Sequence, residues 1–382
     1  MTHHYDVVIL GAGPAGTACA LALQHSGLRV ALVDKDQFPR DKVCGDAIPG
    51  LALKAIRQLS PTLYEELYAL PQKAETRDSR LFAPDGGDIR VRWQIQTFNS
   101  PRLHFDARLL EMVQAHTTTQ VQLDFSVKDI HITAEQVTLL PANGQAPLTC
   151  QLLIGCDGAN SVAARKLTQR PLDRAHQCVA VRAYFQGLID TDETTTEFYF
   201  LREYLAGYFW IFPVGDGVYN VGFGMLSSDV AAQKLDLKKV LLAITREHPQ
   251  VAKRFAQASQ LSKVSGFGLP LGGKSRPISG TRFLLCGDAA SLIDPLQGHG
   301  IDTAIQSGIL AARQAMRCFE QQDFSAAQMR WYEQAVYQQI GKKLARSYRL
   351  MRFISTKPWL VNAGFGLARH AWVKKWLLKV VG

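Results

Sequence analysis

The sequence predicts an α/β chain. A Rossmann-type dinucleotide-binding domain is assembled from separated segments, with an antiparallel-sheet substrate domain inserted between them and a C-terminal helical region after them. Three observations predict this. A strand, a glycine turn and a helix open the chain in YDVVILGAGPAGTACALALQ. Two later strands run into Gly/Asp turns, at Asp157-Gly158 and at Gly287-Asp288. Between those turns, EFYFLREYLAGYFWIFPVGDGVYNVGFGML reads as three antiparallel strands, with residues 215–217 turning between the last two.

Residues 5–10 form a continuous apolar run, as expected of a parallel strand buried on both faces. Gly11 permits a tight turn, Gly13 lets backbone approach a pyrophosphate, and Gly16 lets helix and strand pack closely. The helix predicted over 14–26, with Ala15 in its first turn, aims its N–H groups at that anion, and Gly27 is its expected C-cap. Residues 29–33 form the second strand. Asp34, followed by Lys35, ends it about 20 residues past the glycines, where an acid accepts hydrogen bonds from a ribose.

Helices are expected over 51–70 and 231–247 and from 326 onward, and strands over 80–98, 151–155, 194–226 and 283–286. A turn containing Gly298 and Gly300 opens a long helix near Ile301, whose free N–H groups present a positive end to an anion. The dinucleotide domain is therefore assigned to 1–75, 101–172 and 271–330, the sheet domain to 76–100 and 173–270, and the helical region to 331–382. On one strand Tyr208, Trp210 and Phe212 project to a common face, and Asn220, Gly222 and Gly224 on the next leave a nearly bare one. The loop PRDKVCGDAIPG, residues 39–50, places Cys44 among basic side chains.

GAGPAG, Asp157-Gly158, Gly287-Asp288 and the segment RLHFDARLL together resemble the p-hydroxybenzoate hydroxylase-like FAD-binding fold. The resemblance implies FAD, with Arg108 on its pyrophosphate and Asp288 on ribityl or ribose hydroxyls. PRDKVCGDAIPG, GYFWIFPVGDGVYNVGFG and GDAASLIDPLQGHGI resemble the geranylgeranyl reductase family of flavoproteins, which reduce isolated C=C bonds in isoprenoid chains. This likeness covers most of residues 1–310, and its specific parts are K-x-C-G and Y-x-W-x-F-P.

It implies a loop curled over the flavin, with Cys44 and Gly45 at the reacting face and Arg40 and Lys42 near phosphates or a substrate headgroup. Tyr208 and Trp210 would line the pocket, and Cys44 or Tyr208, or a water they hold, would donate the proton. The family's last motif commonly reads GDAAG…DPxxGEGI, whereas Ser291 and His299 stand here at the Gly and Glu positions. The same fold hosts hydroxylases and halogenases, and Tyr208–Pro213 matches the halogenase W-x-W-x-I-P segment only in part. A flavin-bearing, membrane-associated sensor is the non-enzymatic alternative.

The 382 residues are 47% hydrophobic and 20% charged, with no apolar run approaching the ~20 needed to cross a bilayer. Seven scattered cysteines suggest reduced thiols in a cytosolic protein, and no secretory segment precedes the first strand. The net charge of +10 suits an anionic cofactor or a membrane surface; Lys and Arg read as dispersed, with no nucleic-acid module. No second dinucleotide fingerprint is present, so the reductant is expected to be transient NAD(P)H or a separate ferredoxin-like protein. HAWVKKWLLKVVG places Trp372, Trp376 and Leu377 on one helical face and Lys374, Lys375 and Lys379 largely off it, which suits peripheral membrane contact.

Overall fold

The computed structural model describes residues 3–168, 173–205, 207–355, 357 and 359–368. The tryptophan face of the tail lies outside the described residues.

His3–Leu10 is the centre of the first sheet. It pairs in parallel with Val30–Val33 (Val7 opposite Val30) and with Leu148–Gly155 (Val7 opposite Leu152). Phe283–Leu285 and Gln120–Gln122 extend the sheet outward, also in parallel. Val7, Val8, Ile9, Leu32, Leu152 and Ile154 are all inaccessible, as strands covered on both faces require. Each such side chain contributes roughly 1.5–3 kcal/mol of burial. The hairpin Val127–Ile132/Val137–Pro141, which the sequence pattern did not reveal, pairs antiparallel on Leu148–Gly155.

The three turns marked by glycine leave the C-terminal ends of three adjacent parallel strands, where Leu10 and Leu285 both stand in register with Gly155. Open α/β sheets bind ligands in that crevice.

Several elements are shorter or more divided than expected. The first helix is Pro14–Ala22, and Gly27, at φ 71°, turns the chain toward the second strand instead of capping the helix. The expected helix 51–70 is two helices, Gly50–Leu59 and Pro61–Tyr68. Pro61 cannot continue the first, and Ser60 caps the second at Leu63 N. Lys234, at φ 52°, likewise separates Ser227–Ala232 from Leu237–Glu247.

In the second sheet Gln177–Gln186, Val218–Leu226, Tyr208–Gly215 and Thr195–Tyr199 run antiparallel in that order. Ala74–Phe82 then joins in parallel and pairs with Asp88–Asn99, so the expected strand 80–98 is part of a hairpin. Ala47–Ile48, the end of the cysteine loop, pairs with Asn99 and Phe98 at the sheet's edge. Leu241 and Ile244 cover one face, packing with Phe209 and Phe223. Trp210, Phe212 and Ala180 form a separate cluster on the other, with Phe198, Tyr208 and Ala47 against it.

Among the described residues of the C-terminal region, Ala326–Val336, Lys342–Ser355 and Trp359–Ala368 are helical, the first two joined by a π-turn at Tyr337–Gly341.

Candidate active site

At the glycine turn, packing and ligand space can be told apart. Gly11 has φ 107°, and a Cβ there would stand 2.3 Å from Cys156 O; on Gly16 it would stand 1.9 Å from Gly11 O. Ala15 O would similarly be 2.1 Å from a Cβ on Gly308, so the helices Pro14–Ala22 and Ile301–Gln321 touch at backbone distance. At Gly13 the nearest atom to such a Cβ is Arg40 Nη2, 3.7 Å away.

Gly13 thus faces the tip of a flexible side chain at ordinary contact distance and no backbone, and the groups around it suit an anion. Gly13 caps its helix without a side-chain hydrogen bond, and the first turn holds no acid. Arg40 Nε is buried and makes no hydrogen bond; its nearest carboxylate, Asp36, is 3.7 Å away, while Nη1 lies 3.1 Å from Asp106. Uncapped N–H groups facing a half-buried guanidinium with an unbonded Nε fit the pyrophosphate of a dinucleotide. Asp34 accepts from Ala12 N (2.7 Å) and Asp36 N (3.0 Å), bracing the turn from behind, while Lys35 is exposed.

The other two turns are built differently. Asp157 accepts from Val162 N (2.6 Å), Ala163 N (3.1 Å) and Ser161 Oγ (2.5 Å), capping the helix that follows it. Gly287, at φ 56°, donates its N–H to Ser307 Oγ, and Asp288 meets Lys42 Nζ at 3.2 Å. Gly300 is the N-cap of Ile301–Gln321, again with no side-chain cap bond.

Ser291 sits at φ 57°, in the left-handed region that explains why the family motif carries glycine there. His299 pairs Nδ1 with Asp302 (2.7 Å) and Nε2 with Gln297 (2.5 Å). Burial lowers its pKa, but the Asp302 carboxylate outweighs that and the net shift is upward.

Arg108 faces Glu66 and Glu111, at 3.1 and 3.2 Å. The inward guanidinium of that helix is Arg102, whose Nε and Nη2 each donate to Asp106 at 2.6 Å. One turn apart on Arg102–His116, Arg102 and Asp106 are both buried, and Asp106 also receives Arg40.

The cysteine loop is strapped to three parts of the molecule: Arg40 to Asp106, Asp41 to the buried Arg182 (2.5 and 2.7 Å), and Lys42 to Asp288. Below the straps Asp46, fully buried at φ 65°, accepts from Tyr184 Oη (2.6 Å) and Asn220 Nδ2 (2.7 Å). Asn220 is the hub of this layer. It also donates to Cys44 O (2.7 Å) and accepts from Trp210 Nε1 (2.9 Å).

Trp210 lies on Gly222, where a Cβ would be 2.1 Å from its ring, and near Gly45, where a Cβ would be 3.6 Å from Nε1. The bare face expected at Gly222 is thus filled by Trp210 itself. The half-buried Cys44 lies close enough to Arg102 and Tyr208 to act on both electrostatically. Tyr208 Oη donates to Gln297 O (2.8 Å) beside Gly298.

Cys44, Gly45, Tyr208, Trp210 and Gly298 therefore come together, whereas the contacts of Arg108 lead to the two glutamates and not to the glycine turn. Sequence reasoning missed Arg102, Asp46, Arg182 and Tyr184, and passed over Asn220 as part of a bare face. A polar residue inside the run VYNVGFG was the one signal for it.

Asp46 makes a testable contribution to pH-dependent stability. Burial pushes its pKa up from 3.8 to about 6, against the opposing hydrogen bonds of Tyr184 and Asn220 and the charges of Arg182 and Arg102. A raised carboxyl favours the folded state at low pH, fully so below its unfolded value, and that advantage is lost as pH rises through the folded value. Wild type should therefore lose up to about 3 kcal/mol relative to Asp46→Asn between about pH 4 and pH 7 in urea unfolding. A difference that is flat with pH would remove this titration from Asp46.

Residues 4–319 match the family described as FAD binding domain. The menaquinone reductase of Mycobacterium tuberculosis is 32% identical over 316 residues, spanning 80% of this chain and 75% of that one. A digeranylgeranylglycerophospholipid reductase of Methanocella arvoryzae is 26% identical over 364 residues, 93% and 88% of the two chains. Among solved structures, a geranylgeranyl bacteriochlorophyll reductase-like protein of Thermoplasma acidophilum superposes with TM-score 0.81 at 23% identity, covering 93% of this chain and 88% of that one. A flavin-dependent brominase superposes with TM-score 0.80 at 22% identity, covering 99% and 93%. The two structures share this fold nearly equally, so the fold does not distinguish reduction from halogenation.

Proposed function

Because this chain belongs to the FAD binding domain family, within its prenyl-chain reductases, and is an FAD-dependent oxidoreductase, we propose that it reduces isolated C=C bonds in geranylgeranyl-type isoprenoid chains, a step of prenyl-lipid biosynthesis. The observation that carries this reading is the aromatic cluster of Phe198, Tyr208, Trp210 and Phe212 on the sheet face that meets the cysteine loop. Reduced FAD, when bound, supplies the hydride. The protein's residues have three tasks: to hold the cofactor, to align an apolar chain away from water, and to deliver a proton.

Gly13 and Arg40 would hold the pyrophosphate, with Gly11 and Gly16 shaping the turn that presents Gly13, and with Asp288 and the uncapped Gly300–Ile301 turn along the rest of the cofactor. For the proton we assign Cys44. Burial raises the pKa of Tyr208 well above its ordinary value, and a thiol is in general the stronger acid. After donation, the charge left on sulfur would face Arg102. Tyr208 and Trp210 then act as walls that orient the chain, and Asn220 positions both Trp210 and the Cys44 backbone. An external reductant, NAD(P)H or a ferredoxin-like protein, renews the flavin. Cytoplasmic placement at a membrane, with the C-terminal tail in contact, completes the reading. Menaquinone and archaeal-lipid reductases among the sequence relatives support reduction over hydroxylation or halogenation, for which only the fold speaks.

Cys44→Ala should retain FAD and be reduced normally by dithionite. With a detergent-dispersed geranylgeranyl lipid it should reoxidise at least about tenfold more slowly, within the usual range for losing a positioned acid. An unchanged rate and product pattern would make Cys44 a packing residue.

A further inference from the structure

The final 49 residues, 334–382, contain ten Lys and Arg and no Asp or Glu, so they carry the entire formal charge of +10. The first 333 residues are balanced, with 33 of each sign. Contrary to the dispersed pattern expected above, three of the cations among the described residues form a stripe. Lys342, Arg346, Arg349 and Phe353 follow one another at four-, three- and four-residue spacing along Lys342–Ser355, on one helical face, and all four are exposed.

The opposite face is docked, with Leu344, Ser347 and Met351 buried. Among the described residues, no carboxylate forms an ion pair with Lys342, Arg346, Arg349, Arg352 or Lys357. Phe353 is 51% exposed with Lys357 Nζ 4.7 Å above its ring, and Trp359 is 65% exposed. Trp359–Ala368, the helix that follows, contains no charged residue.

We propose that this surface docks onto the anionic headgroup layer of a lipid bilayer, with Phe353 and Trp359 entering the interface. Cationic side chains supply the long-range attraction, and exposed aromatics at the edge of a charge-free helix supply the apolar part. A purely ionic partner, such as an acidic electron-transfer protein or a nucleic acid, would leave those aromatics and the charge-free helix without a role.

Two contacts connect the surface to the site. Ser347 Oγ donates to Asp294 Oδ2 (3.0 Å), and Asp294 O accepts from Gly298 N in the turn against Tyr208. Phe365 stands edge-on to Phe200 with ring centres 5.9 Å apart, and Phe200 lies 6.4 Å from Tyr208. Docking thus brings the bilayer to the outer end of the aromatic cluster.

The test is vesicle flotation of the full-length, FAD-loaded chain, which measures binding independently of turnover. Wild type should float with phosphatidylcholine vesicles containing phosphatidylglycerol and far less with phosphatidylcholine alone. At roughly fivefold per basic side chain, Arg346→Glu with Arg349→Glu should weaken binding by at least about thirtyfold. Phe353→Ser with Trp359→Ser should weaken binding while leaving its salt dependence in place. Both pairs should keep wild-type FAD content and wild-type turnover of a detergent-dispersed prenyl substrate. Binding unaffected by either pair, or indifferent to phosphatidylglycerol, would overturn the proposal. So would charge-reversal loss with no effect of the aromatic pair, which would assign the face to an ionic macromolecule.

Discussion

Gly13→Val should yield a folded protein that does not retain FAD, with affinity lowered roughly 100-fold, about 3 kcal/mol. The expectation rests on what each glycine would meet. A side chain on Gly13 extends toward Arg40 Nη2, which is 3.7 Å from its Cβ, at an unstrained φ of −75°. Only the end of the flexible Arg40 side chain must give way and no backbone stands near, but the backbone at Gly13 could no longer approach a pyrophosphate. Gly11→Val is the control with a different outcome: its Cβ would stand 2.3 Å from Cys156 O at φ 107°, so that variant should fail to fold. Flavin absorbance after gel filtration, with circular dichroism for the fold, separates the two. A Gly13→Val protein that stays yellow would move the cofactor away from this turn.

The second large effect is expected at Asp106, a residue with no exposed side-chain surface that neutralises Arg102 and Arg40 together. Asp106→Ala would leave the buried Arg102 guanidinium unpaired, and breaking a buried pair on one side costs about 3–5 kcal/mol. It would also remove the closer of the two carboxylates that hold Arg40 opposite Gly13, leaving Asp36. Stability and FAD retention should therefore fall together. Asp106→Asn, which keeps an acceptor for Arg102, should lose less of each. Urea unfolding in which Asp106→Ala lies within about 1 kcal/mol of wild type would show that neither arginine depends on it.

The contrast between Arg102 and Arg108 shows where the sequence stops being informative. RLHFDARLL contains both residues, and they lie on different sides of one helix. Which side faces inward depends on how the helix rests on Phe98 and the cysteine loop, and that is tertiary information. The parallel strands were legible because burial on both faces imposes unbroken apolar runs. The glycine turn was legible because Gly11 and Gly16 are dictated by contacts below 2.5 Å.

Asp46, Arg182 and Tyr184 were not legible. Arg182 and Tyr184 share the strand Gln177–Gln186, but their partners Asp41 and Asp46 come from the cysteine loop about 140 residues earlier, and only folding gathers them. Asn220 was read as part of a bare face because periodicity reports which way a side chain points and not what it meets. Helix ends were misplaced for a related reason: Pro61 was legible as a break, while the left-handed turn at Lys234 has no compositional mark.

The central claim, reduction of isolated prenyl double bonds, is tested most directly by the mass of the product. Enzyme reduced with dithionite under argon is mixed with a geranylgeranyl lipid dispersed in detergent, and the extracted lipid is weighed by mass spectrometry. The account predicts prenyl chains heavier by steps of about two mass units, one hydride and one proton for each double bond, formed without oxygen. Product appearing only in air, and carrying an added oxygen or halogen atom, would contradict it.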